Sequence, residues 1–140
     1  MFKVVAGILI VLALVIIIVP QFTNCAAEGR SLTLDNGKTV PMKCAWSARA
    51  ELALGIPLLA VGALLALARR KETIRSLSIL GAIIGILVIL IPTTLIGVCA
   101  SAMMDCNSIL KPTVIICGIL AVLASIAALV MNEMKAEKVA

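Results

Sequence analysis

Four stretches of this chain carry almost nothing but apolar side chains for about 20 residues each, the length a helix needs to cross a hydrocarbon core of roughly 30 Å. They are residues 4–22, 50–68, 77–98 and 113–131. No water is available inside a bilayer to satisfy free backbone groups, so runs of this kind are expected to be helices. Composition points the same way. Hydrophobic residues make up 63% of the 140, charged residues 14%, and the mean hydropathy is +1.23, outside the range of soluble globular domains. The expected fold is an all-α membrane protein, a four-transmembrane-helix bundle in one domain over 1–140. Loops at 23–49 and 99–112 fall on one side.

Basic residues near span ends are retained on the cytoplasmic side. Lys3, Arg69, Arg70, Lys71, Arg75, Lys135 and Lys138 would share one side, and Arg30, Lys38, Lys43, Arg49 and Lys111 the other, seven against five. The tight cluster RRKETIR, residues 69–75, sets the bias. Both termini are therefore expected in the cytoplasm of a multi-pass cell-membrane protein, with both loops outside. The first run exceeds the apolar stretch of about 7–15 residues in a signal peptide, so an uncleaved span is expected. The charges flank spans instead of forming a stripe, which argues against nucleic acid as a partner.

The two outer loops hold four of the five cysteines. Cys25 and Cys44 bracket the first; Cys99 and Cys106 bracket the second. Four is an even number in a compartment where disulfides persist, and three connectivities are open. Pairing Cys25 with Cys44 and Cys99 with Cys106 would tie the exit of one span to the start of the next. The first bridge would close a loop worth about 3 kcal/mol on chain-entropy grounds. The other two connectivities would join the halves of the chain. Cys117 falls within the last span and is expected to be an unpaired packing residue. Each half thus reads as span, cysteine, loop, Met-x-Cys and returning span, an echo that two short matches are too few to establish as a duplication.

Leu32-Thr33-Leu34 and Thr39-Val40 flank Asn36-Gly37, the strongest short signal for a two-residue type I′ hairpin turn. A small β-hairpin cap outside the membrane is expected, with Asp35 facing Lys38. Trp46 follows as a candidate interfacial anchor. Inside lipid, small residues at helical spacing mark the seams between helices. Gly81 and Gly85 form a GxxxG match in the third span, Gly118, Ala121, Ser125 and Ala128 line one face of the fourth, and Gly55 and Gly62 lie a heptad apart in the second. The GxxxG seam would serve internal packing or a homo-oligomer. Pro57 and Pro92 are expected to kink their helices, with Thr93 and Thr94 placed to satisfy freed carbonyls.

Histidine is absent, which removes most hydrolase triads and the commonest general base. Arg49 and Glu51 are placed at the outer mouth of the second span, and no ionisable group is expected near a midplane, where transporters and pumps need one. The expected function is that of a non-enzymatic accessory subunit of a larger membrane complex, without a cofactor. A rival reading is a thiol-disulfide oxidoreductase that passes electrons from the outer cysteines to a quinone held near Arg49, although no Cys-x-x-Cys pair is present. A third is soft-metal binding by Met42, Cys44, Met103, Met104 and Cys106; because paired cysteines cannot serve as thiolates, no metal site is expected.

Cys25, Met42-Lys43-Cys44, Trp46 and Met104-Asp105-Cys106, set on this span pattern, resemble a prokaryotic family of small four-span membrane proteins, domain of unknown function 4418. The resemblance implies a bilayer protein working beside a partner such as an ABC-type permease, and it implies no activity.

Overall fold

A computed structural model describes all 140 residues as four helices and one small hairpin. Helix α1 spans Phe2–Phe22, α2 Lys43–Leu67, α3 Lys71–Leu90 and α4 Lys111–Val139. All four are long and apolar enough to cross a membrane. The helices alternate in direction. α1 packs chiefly on α2 and α3 on α4, and the ring closes through α2 with α3 and α1 with α4. Both chain ends lie at one end of the bundle, where Lys135 sits 5.5 Å over the Phe2 ring. The cysteine loops lie at the other.

Two helices reach further than the apolar runs alone suggest. α2 begins at Lys43, so Cys44 and Trp46 belong to its first turns and not to a loop. α4 continues to Val139, carrying the charged tail as helix, and Arg75 of α3 meets Glu133 there at 3.6 Å on the surface.

The seams are drawn by missing side chains. A Cβ on Gly55 would lie 2.5 Å from Ile17 of α1, and one on Gly62 2.9 Å from Ile10. Across the other pair, a Cβ on Gly81 would meet Ser125 Oγ at 2.7 Å, and one on Gly85 would meet Val122 Cγ2 at 2.8 Å and the Gly118 carbonyl at 3.2 Å. Such close backbone approach replaces hydrophobic expulsion as the source of helix association in lipid. The seam of Gly81, Gly85, Gly118 and Ser125 is thus used inside the bundle. The outward faces stay apolar, with Ile8, Ile56, Ile83, Ile86, Ile116 and Leu123 exposed.

Pro57 lies within α2. Pro92 marks the point where α3 loosens into a π-helical segment, Ile91–Leu95. The α-helical bonding pattern gives way there, and Thr93 donates to the Ile89 carbonyl at 2.8 Å while Thr94 donates to that of Leu90 at 3.2 Å. Gly97, at φ +80°, turns the chain out of the segment, a conformation that costs a side-chain-bearing residue about 1 kcal/mol or more. Its carbonyl accepts a 2.6 Å hydrogen bond from Ser47 on α2. Removing that bond with Ser47→Ala is expected to lower unfolding stability by about 1 kcal/mol, read as a shift in the denaturant midpoint in detergent; an unchanged midpoint would mean the Gly97 turn is held by other contacts.

The hairpin forms, but with a different turn. Strand β1, Leu32–Thr33, pairs antiparallel with β2, Thr39–Val40, in the register Leu32 with Val40 and Thr33 with Thr39. Leu34, not Asp35, faces Lys38, its N–H donating to the Lys38 carbonyl at 2.9 Å. Three residues therefore close the loop, and only Gly37 takes a positive φ, +75°. A type I′ turn needs positive φ at both central residues. Asn36 avoids that cost by leaving the left-handed position to the glycine alone.

Candidate four-thiol centre

Four helix ends deliver one cysteine each to a single point. Cys25 follows the last turn of α1, where Asn24 folds the chain back by donating from Nδ2 to the Pro20 carbonyl at 2.8 Å and accepting at Oδ1 from the Ala27 N–H at 2.9 Å. Cys44 stands in the first turn of α2. Cys99 comes two residues after the Gly97 turn. Cys106 opens a second π-helical segment, Cys106–Leu110, that runs without a break into α4.

All four Sγ atoms lie within 4.8 Å of one another. Cys25 and Cys106 approach to 2.8 Å, Cys44 and Cys99 to 3.5 Å, and Cys25 and Cys99 to 3.7 Å. The Cys25 N–H also points at Cys44 Sγ at 3.4 Å. Cys25, Cys44 and Cys106 are buried, and Cys99 is half-exposed.

This corrects the pairing expected from the sequence. All five cysteines are free thiols, and neither Cys25 with Cys44 nor Cys99 with Cys106 forms a bridge. The closest contacts join the two halves of the chain instead. The α1–α2 and α3–α4 hairpins dock with their cysteine ends together, so each sulfur finds its nearest neighbour across the dock. Cys117 is buried one turn and a half into α4, apart from the group.

The arrangement also removes the ground on which a metal site was set aside. That exclusion assumed paired sulfurs. A divalent ion held by four thiolates at about 2.3 Å sets its sulfurs about 3.8 Å apart, close to the 3.5 and 3.7 Å contacts seen here, whereas Cys25 and Cys106, at 2.8 Å, would have to part by about 1 Å to admit it. The sequence's own candidate set fits less well, because Met103 is almost fully exposed. Met42 stays close, its Sδ 3.9 Å from Cys99. Met42, Met104, Leu32, Val98 and Ser101 line a shallow groove of about 320 Å³ that opens on Cys99.

Burial pushes the Cys25 thiol above its ordinary value of 9.0, and hydrogen bonds with the sulfurs of Cys106, Cys44 and Cys99 add to the shift. The fold therefore favours the protonated thiol. Stability from this preference is complete below pH 9.0 and is lost above it, as the unfolded chain ionises first. The reduced, metal-free protein is expected to melt at lower temperature as pH rises past that value, and Cys25→Ser to flatten the loss. A wild-type melting curve that ignores pH there would contradict this environment for Cys25.

Trp46 is half out of the bundle, with the Arg49 guanidinium 5.3 Å from its ring centroid. Glu51, expected at the outer mouth of the second span, is fully buried against the neighbouring helices, and neither carboxylate oxygen has a hydrogen-bond partner. The signal was legible in its spacing: Ser47, Glu51, Gly55, Leu58 and Gly62 recur on one face of α2, and all are buried.

No curated protein and no solved structure matches the chain. Residues 3–131 match the profile of a family described as a domain of unknown function, DUF4418. With that match extending over most of its length, on four apolar helices, the chain belongs to the DUF4418 family.

Proposed function

We propose that this is a non-catalytic membrane protein whose cysteine end binds one thiophilic d¹⁰ ion, of the zinc class, through Cys25, Cys44, Cys99 and Cys106. The observation that carries the reading is the mutual approach of four sulfurs from four helix ends to within 4.8 Å. A full set of four thiolates leaves no open coordination position, which is the mark of a structural site and not a catalytic one. The ion would pin the two helical hairpins together where no covalent link does so. Lys43 and Lys111, which open α2 and α4, bring positive charge to the same end of the bundle as such a centre.

A quinone-linked thiol oxidoreductase finds less support. Thiol exchange needs access, yet three of the four sulfurs are buried, and Arg49 is occupied over Trp46. In our reading the RRKETIR end faces the cytoplasm of a cell-membrane protein. The outward apolar faces meet lipid and the helices of a larger, permease-type partner. Crosslinking in mild detergent that recovers only the monomer would contradict that assembly.

The metal reading is tested by purifying the protein anaerobically with a reductant and measuring metal and free thiols together. One equivalent of metal per chain, lost on acidification as the thiolates are protonated, is the expected result. Absence of metal, whether the four thiols are recovered free or Cys25 and Cys106 are recovered as a disulfide, would overturn it.

A further inference from the structure

Below the sulfurs, the bundle encloses a carboxyl that nothing holds. Glu51 follows Cys44 by seven residues on α2, two turns or roughly 10 Å along the axis, and it is fully buried. The turn above it is closed on both sides: Ser47 bonds the Gly97 carbonyl, and Gln21 of α1 donates to the Ala48 carbonyl at 3.1 Å. The turn below is closed by Gly55 seated on Ile17. Both oxygens remain without a partner.

No cation on the neighbouring elements is placed to pair with it. α1 carries no titratable side chain after Lys3, and α3 with its π segment carries none after Arg75. α4 brings only Cys117 between Lys111 and Glu133. On α2 itself, Lys43 precedes Cys44 in the first turn, and Arg49 lies over Trp46. An ionised carboxylate so placed is strongly disfavoured, and an ionisable group enclosed in a bundle of spanning helices is a candidate functional position. Metal cations such as Ca²⁺ and Mg²⁺ need several oxygen ligands, and no second side-chain carboxylate exists inside the bundle. A proton needs only one.

We propose that Glu51 is a proton-binding site within the membrane, linked to the charge of the four-sulfur centre above it. The linkage rests on the function proposed above, whereas the proton site does not. Loading a divalent ion releases four thiol protons to water and leaves two net negative charges at the centre. Each disfavours ionisation of a carboxyl roughly 10 Å away by about one pH unit at an effective dielectric of about 20. By reciprocity, an ionised Glu51 weakens the metal.

Infrared difference spectra between wild type and Glu51→Gln, taken on the reduced protein in lipid with and without zinc, test both parts. The carbonyl band of a protonated carboxyl, missing from the variant, is expected at neutral pH. Its disappearance on raising pH is expected to move about two units higher when zinc is bound. No such band at any pH at which the fold persists would overturn the proton site. A band with the same pH profile in both states, including one that persists unchanged in both, would overturn the linkage. Failure of zinc to bind at all would overturn the proposed function and the linkage, and the metal-free spectra alone then decide the proton site.

Discussion

Replacing Cys44 with serine is expected to weaken zinc binding by about 100-fold while leaving the helices in place. A structural zinc site of four ligands contributes about 10–16 kcal/mol at neutral pH, so one ligand's equal share is about 2.5–4 kcal/mol. Serine is nearly isosteric and Cys44 is held on helix α2, so the loss falls on the metal more than on the fold. Cys25→Ser, Cys99→Ser and Cys106→Ser should behave alike, since all four sulfurs share one point. Cys117→Ser should bind zinc as wild type does, because that thiol lies deeper in α4. Competition titration against a chelator of known affinity reads these differences. A Cys99→Ser variant with undiminished affinity would mean that the half-exposed sulfur is outside the set.

The second large effect is expected at Gly85, where α3 and α4 touch backbone to backbone. A Cβ there would stand 3.2 Å from both the Gly118 carbonyl and the Val122 nitrogen, in addition to 2.8 Å from the Val122 side chain. Side chains can rotate away, but the two backbone atoms can be relieved only by separating the helices. Overpacking of this kind costs about 1–3 kcal/mol, and Gly85→Val, with two further methyl groups, is expected at the upper end. Gly7→Ala provides the contrast. Nothing lies within 4 Å of a Cβ at Gly7, so that change should be neutral or stabilise α1 by up to about 1 kcal/mol. Thermal unfolding in detergent distinguishes the two, and equal melting temperatures for both variants would contradict the close α3–α4 seam.

Which parts of this were legible in the sequence follows from the range of the forces involved. The four spans were, because helix formation in lipid depends on local apolar length alone. Their ends were less so. Met42 to Arg49 carries Lys, Ser and Arg among its apolar residues, and an apolar run cannot register a helix that starts seven residues before the grease does. The hairpin was visible in Asn36-Gly37, but its turn was decided by whether Asn36 would take a positive φ, and a three-residue loop spares it that.

The quartet of cysteines was readable as a group and not as a pairing. Sequence proximity favours Cys25 with Cys44 and Cys99 with Cys106, since each pair brackets one loop. The structure instead brings Cys25 nearest Cys106, 81 residues away, because the docking of two helical hairpins is set by contacts between them, such as Gly81 on Val61 and Ser47 on the Gly97 carbonyl, and not by loop length. For Glu51 the buried face of α2 was legible in the spacing from Ser47 to Gly62, but what closes over the carboxyl was not, because the Gly97 turn and Gln21 are both distant from it in the chain.

X-ray absorption at the zinc edge of the reduced, loaded protein examines the shared centre directly. A single site built by both halves of the chain predicts four sulfur neighbours at about 2.3 Å and no nitrogen or oxygen scatterer, falling to three sulfurs when any one of Cys25, Cys44, Cys99 or Cys106 is changed to serine. A shell of two sulfurs completed by lighter atoms, unaffected by loss of the cysteines of one half, would contradict it.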